Sequence, residues 1–425
     1  MENKRKRRVE LMTIMEISGT MISSEKFVNA VKKRPEDFTR SRKMPFTQLM
    51  LFMLNMVKSS IQTCLDNFFE KQKTDIHMTQ QSFSEAREKI KYKAFRALLE
   101  VTVEAIYDNY YDTWHGYRVS AIDGSKTQIP DDQKLKEYFG TMGANSTAAT
   151  AQASALYDVL NNVIIDAQLE PLKCGERELA LKHIDVLCNL PSFNKECILF
   201  DRGYASFELV ETLKNRGISF VMRVKSKFNN LIDSLNNGDH HIFLQKAGHE
   251  NIRVRVLKFI LPSGETETLI TDIDDRRMGI KAFKTLYFKR WPIETKYGEI
   301  KNKLEVENFS GRTINSIKQD FFISMYMSNV VAVACWEVQP DVDEERELRG
   351  NKYNYHVNVN HAIGCLKDRF ILALLEPNPH LRSKKTKHIL FLLTKHVVPT
   401  RPNRSVKRNP STRKTKFRFN SKSNC

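Results

Sequence analysis

The chain has 425 residues, of which 41% are hydrophobic and 28% charged, with 68 Lys and Arg against 50 Asp and Glu. That length exceeds what one hydrophobic core usually supports, so two or three domains are expected in a soluble globular protein. The formal charge of +18 calls for a polyanionic partner, nucleic acid first and an anionic membrane surface second. The N-terminus MENKRKRRVE leads into polar, mixed sequence, so no signal peptide is expected. Seven scattered cysteines without a C-x-x-C pair suit a reducing cytoplasm and argue against a disulfide framework or a zinc knuckle.

Residues 1–115 form a helical, basic region. Lys4 to Arg8 is a basic arm, Phe46 to Val57 is apolar at helical spacing, and Met78 to Leu99 predicts one amphipathic helix behind a capping Thr79. Two readings are open here: a DNA-docking domain, or a helical bundle with a basic surface. Residues 116–227 change texture. Tyr117 to Ile122 predicts a strand ending at Asp123-Gly124-Ser125, and Ala151 to Val159 and Asn162 to Glu170 predict two more. A helix follows from about Gly175 to Leu190. Cys197 to Phe200 is a compact buried strand ending at Asp201-Arg202-Gly203-Tyr204, and a helix (Ser206 to Arg216) and a strand (Ile218 to Val224) come next. Strands that pass into helix–strand alternation predict an α/β fold, a mixed sheet packed between helices.

Residues 228–275 interrupt that alternation with β runs around Pro262-Ser263-Gly264, a β-rich insertion. Residues 276–340 resume it. Phe321 to Trp336 lies within an apolar helix, about Ile314 to Val338, and is broken by Ser324, Ser328 and Asn329; a buried core helix is the expectation. Residues 341–400 open with an acidic linker (Asp341, Asp343, Glu344, Glu345, Glu347) before a helix near His361 to Leu375. The basic tail 401–425 has no Asp or Glu and is expected to be disordered.

Three carboxylates stand out by position. Asp123 and Asp201 each end a predicted strand, and Glu294 lies in the stretch YFKRWPIETKYGEIK, Tyr287 to Lys301. There Tyr287, Arg290, Glu294 and Lys301 recur at offsets that would share one helix face. Plainer alternatives exist: a turn at Asp123-Gly124, an internal ion pair at Asp201-Arg202, and a solvated helix face of ion pairs. Two carboxylates at neighbouring strand ends and a third from a helix can hold two magnesium ions, since hard oxygen ligands suit Mg2+ and such ions drive in-line phosphoryl transfer. Pro292 disfavours helical geometry at Trp291, so the stretch divides into a preceding turn or kinked segment bearing Tyr287 and Arg290 and a helix, from Pro292, bearing Glu294.

These motifs resemble those of the D-D-E transposases of the insertion-sequence-four group, including its Tn-five-like branch. Tyr287, Arg290, Glu294 and Lys301 fill the Y-x-x-R-x-x-x-E-x-x-x-x-x-x-K signature, FDRGYAS at Asp201 is similar to the second-aspartate motif, and IDGS at Asp123 to the first. The resemblance covers roughly residues 80 to 315. It implies a ribonuclease H-like mixed sheet with a β-rich insertion between the second and third acidic residues. It implies Asp123, Asp201 and Glu294 as catalytic metal ligands for two Mg2+ ions, with Mn2+ as a substitute. Tyr287, Arg290 and Lys301 would hold DNA backbone. Trp291 would take up a flipped base, its alternative being a core tryptophan. The expected activity is cleavage at terminal inverted repeats and joining of the 3′ ends to target DNA, by a homodimer in a synaptic complex in the bacterial cytoplasm. The alternatives are a metal-dependent nuclease without strand transfer and a non-catalytic basic DNA-binding protein.

Overall fold

In the computed structural model, which describes residues 8–40, 42–55, 60–143, 148–367 and 369–400, six helices precede the first strand. They are α1 (Leu11–Ser23), α2 (Glu25–Val31), α3 (Phe46–Leu54), α4 (Ile61–Lys71), α5 (Gln80–Glu88) and α6 (Lys93–Tyr107). Met78 to Leu99, expected as one helix, is two. Thr79 caps α5 by accepting from the Ser82 N–H. The Lys89 carbonyl then accepts from Lys33 and the Lys91 N–H donates to Val31. Backbone groups paired outside their helix end it. Residues 4–7 of the basic arm and the tail from Arg401 lie outside the described residues.

Strand β1 (Arg118–Gln128) is followed by α7 (Gln133–Phe139), β2 (Thr150–Asp158), β3 (Val163–Pro171), α8 (Glu176–Cys188), β4 (Glu196–Phe200), α9 (Phe207–Asn215), β5 (Ser219–Arg223) and α10 (Asn230–Ser234). Then come β6 (Gly238–Leu244), β7 (Ile252–Ile260) and β8 (Thr266–Thr271). The eight strands make one sheet, ordered β3-β2-β1-β4-β5-β8-β7-β6. β1, β4 and β5 run parallel, whereas β8 is antiparallel to β5, and β7 and β6 continue antiparallel. β1 and β2 run oppositely, since Val159 N–H bonds to Val119 at one end and Ile129 N–H to Ala149 at the other. The result is a mixed sheet flanked by helices. The strands expected as a β-rich insertion extend this same sheet, with β8 satisfying the edge of β5.

Asp123 was expected to end its strand, and it does not. β1 runs on to Gln128. Its pairing with β4 stops at Ala121–Leu199, but pairing on the β2 side continues, so Asp123 sits inside a strand yet beyond the end of its parallel neighbour.

After α11 (Ile280–Phe288) and α12 (Pro292–Asn302), α13 (Ile314–Leu348) is followed by β9 (Tyr355–Val357), α14 (Val359–Leu366), α15 (Arg369–Leu374), α16 (Pro379–Lys395) and β10, Val397–Pro399. The segment expected as an acidic linker is about the last two turns of α13. Proline normally disrupts a helix interior, but Val338 and Val342 are both buried one turn apart, and that shared apolar face carries the helix through Pro340. By length and composition α13 could cross a membrane, yet 83% of its apolar window is buried inside the protein. It is a core helix.

The chain forms two compact units that cut across the linear division at 115, 227, 275 and 340. Of the described residues, one comprises those up to Tyr110, those in Lys126–Ala151 and those from Gly298 onward; the other comprises Tyr111–Ser125 and Gln152–Tyr297. In the first unit α13 is central, packing against α1, α3, α5, α6, α14 and α16. Buried Arg87 of α5 donates to Asp320, Gln319 and Ser310, and Ser18 and Tyr326 share a 2.8 Å bond. The N-terminal helices therefore do not close on themselves. Amphipathic helices need a partner for their apolar faces, and here it arrives about two hundred residues later in sequence. In the second unit, Cys197, Ile198, Leu199 and Phe200 of β4 are wholly buried. Arg118 and Glu196, directly paired in register, form a bidentate ion pair with bonds of 2.6 and 3.0 Å.

Candidate active site

The second unit holds Asp123, Asp201 and Glu294. Asp123 Oδ1 accepts from the Gly124 N–H at 2.9 Å. Its main-chain carbonyl accepts from the Tyr297 hydroxyl at 2.8 Å and the Ser154 hydroxyl at 3.2 Å. Burial pushes the Asp123 carboxyl from 3.8 up to about 6; Glu294 and Glu176 push the same way, and the Gly124 N–H and Arg290 oppose them. Asp123 is thus in electrostatic reach of two other carboxylates and one guanidinium.

Asp201 directly follows the buried strand β4 and opens a tight turn, its carbonyl accepting from the Tyr204 N–H at 3.1 Å. Tyr204 is only 2% exposed, and its hydroxyl is buried with no hydrogen-bond partner among the described residues. Burial raises its pKa, and Asp123, Glu176 and Asp201 add to that. An unpartnered buried hydroxyl costs about 1–3 kcal/mol, and this one lies among the site's carboxylates.

The stretch from Tyr287 to Lys301 is two pieces, as Pro292 suggested. α11 ends at Phe288 and α12 begins at Pro292, where a proline costs nothing because the first helical N–H has no partner to lose. Arg290 lies in the turn between them. Its Nη2 donates to Glu294 Oε1 at 3.2 Å, and the residue is 8% exposed. Burial opposes charge on this guanidinium, but Tyr287, Asp201 and Glu294 outweigh it and raise its pKa. Arg290 is the counter-charge for Asp201 and Glu294, and its Nε has no hydrogen-bond partner among the described residues. Tyr287 donates its hydroxyl to the Phe200 carbonyl at 3.3 Å, tying α11 to the residue before Asp201.

Trp291 is half exposed in the same turn. Lys301 falls in the other compact unit, where its ammonium donates to the Lys126 carbonyl and lies 3.7 Å from Glu307. The second unit therefore brings together Asp123, Asp201, Tyr287, Arg290 and Glu294, with Trp291 on its surface, and does not include Lys301.

Among the described residues no three His, Cys, Asp or Glu side chains form a ready metal cage. Glu294 is paired with Arg290. The donor set still suits a hard divalent ion. It is all oxygen, and Asp123 is a poorly solvated acid that a cation would ionise.

Glu176, in the first turn of α8, escaped the sequence reading because an acidic residue at a helix start is ordinary. Gly124 offers the missed signal. A Cβ there would fall 2.7 Å from Gln152 Nε2 and 3.2 Å from Glu176 Oε1, so the glycine leaves room for the Glu176 carboxylate beside β1. Tyr297, one helical turn beyond Glu294, was also missed.

This chain is 29% identical over 110 residues to the Escherichia coli (strain K12) protein named "Putative transposase InsZ", a match covering 25% of this chain and 35% of that protein. Across 95% of this chain and 88% of the other, its fold overlaps loosely, at 10% identity and a TM-score of 0.44, with a piggyBac transposase solved as a synaptic complex with hairpin DNA. The transposase DDE domain family matches residues 114–330, 217 of the 425 residues, a span that contains every group of the site just described. The chain belongs to the transposase DDE domain family.

Proposed function

We propose that this protein is a DNA transposase of the insertion-sequence-four type that cleaves at the terminal inverted repeats of its element and joins the 3′ ends to target DNA. The observation that carries the reading is the coupling of Asp123, Asp201 and Glu294 around Arg290 within one compact unit. Asp123, Asp201 and Glu294 would hold two Mg2+ ions, or Mn2+ in their place. Bound there, such ions supply charge stabilisation and an activated water or 3′-hydroxyl for in-line displacement at phosphorus. Arg290, already a counter-charge in the site, would turn its guanidinium to the scissile phosphate, where its planar fork suits two phosphate oxygens. Tyr287 orients rather than reacts, because its hydroxyl is committed to the Phe200 carbonyl. Trp291, exposed beside Arg290, offers a face for a displaced base, and Lys301 would be a cation for DNA backbone. A homodimer would hold two ends together.

The deciding experiment is cleavage of the DNA flanking the protein's own gene with Mg2+. Alanine at Asp123, Asp201 or Glu294 is expected to abolish cleavage while end binding survives. Full cleavage by Glu294→Ala would defeat the proposal, and a wild-type protein that cuts but leaves pre-cleaved ends unjoined would be a nuclease.

A further inference from the structure

Three side chains that this chemistry does not use form a hydrogen-bonded chain that ends on Asp123. Asp166 Oδ2, on β3, lies 2.7 Å from His183 Nδ1 on α8. His183 Nε2 lies 3.0 Å from Ser154 Oγ on β2, and that hydroxyl donates to the Asp123 main-chain carbonyl at 3.2 Å. Gln168 donates to the same Asp166 oxygen at 2.9 Å. Ser154, Asp166 and His183 are 1%, 2% and 0% exposed.

An Asp–His–Ser order invites comparison with a hydrolase triad, but a nucleophile must reach its substrate. Ser154 cannot, and its hydroxyl bridges the Asp123 carbonyl and His183 Nε2, while the ring's other nitrogen faces the Asp166 carboxylate. Burying this many polar groups is costly unless each is satisfied. Here each of the three side chains has partners within hydrogen-bond distance, and the chain terminates on the backbone of a candidate metal ligand. The Tyr297 hydroxyl grips the same carbonyl. His183 also lies seven residues, two helical turns, after Glu176 on α8, hence on the same face. Anchoring His183 sets α8 in register and holds Glu176 beside Asp123.

We propose that Asp166, His183 and Ser154 are positioning residues that hold the Asp123 carboxylate in the orientation a divalent cation needs. The proposal rests on reading Asp123 as a metal ligand. Groups that orient a ligand typically change metal affinity about 10–100-fold when removed.

The test titrates the full-length protein with Mn2+, following the free ion by electron paramagnetic resonance, alongside thermal melts. Ser154→Ala and Asp166→Asn are expected to weaken Mn2+ binding about ten-fold. Leu213→Ala, a wholly buried residue of α9 outside the site, is expected to lower the melting temperature and leave Mn2+ affinity unchanged. Asp123→Asn tests the underlying reading, which fails if Mn2+ binding survives that change. If Asp123→Asn abolishes binding while Ser154→Ala and Asp166→Asn bind as wild type does, the positioning role is overturned. Should Ser154→Ala not fold, Asp166→Asn, which keeps the side-chain shape, decides alone.

Discussion

Asp123 carries an energetic cost that its neighbours explain. Its carboxyl is raised from 3.8 to about 6, chiefly by burial. A carboxyl raised on folding makes the folded state hold its proton longer than the unfolded chain does. The native state is thus favoured below about pH 4, loses that advantage as pH rises toward 6, and bears the full penalty above it. Metal-free protein should lose melting temperature across that window, and Asp123→Asn should flatten the loss and raise the melting temperature by a few degrees at neutral pH. Melts at pH 4, 5, 6 and 7 in chelator check this. An unchanged slope in Asp123→Asn would assign it to other groups, such as Asp272, whose carboxyl burial also raises.

At the scale of the element, the register between β1 and β4 depends on a charge pair inside the sheet. Arg118 and Glu196 are each 1% exposed and meet in two parallel bonds. Removing one member of a buried pair strands the other, at a cost of about 3–5 kcal/mol, whereas replacing both with apolar residues is often nearly neutral. Glu196→Ala should therefore lower the urea midpoint severely, and Arg118→Met with Glu196→Leu should recover most of it. Equal midpoints for the single and double variants would show that the pair's role is packing alone. Because β1 carries Asp123 and β4 leads into Asp201, the single variant should also lose activity among its folded molecules.

For the whole molecule, the interleaving of the two units decides what can be separated. The helices before Tyr110 share a unit with the chain beyond Gly298, and their buried bonds run to α13 through Arg87, Ser18 and the Leu11 N–H, which donates to Glu337 at 2.7 Å. A fragment ending near Tyr110, the domain that composition suggests, should expose its apolar faces and show no cooperative melt by circular dichroism. A sharp transition in that fragment would show that α13 is dispensable to it. Co-expression with the segment from Gly298 onward is expected to restore solubility.

The sequence by itself determined most of the secondary structure, because periodicity and caps are local: the strands around Asp201, the break at Pro292 and the cap at Thr79 are legible within a few residues. It also singled out Asp123, Asp201, Glu294 and Arg290 as candidates for one site. Only the tertiary structure decided that β1 runs past Asp123, that α13 continues through Pro340, and that β6 to β8 extend the main sheet, since each depends on a distant partner. The same holds for Glu176 and for the Asp166–His183–Ser154 chain, whose links join residues 17, 29 and 31 positions apart. Burial and charge coupling act through space, and no local pattern records which distant side chains will share them.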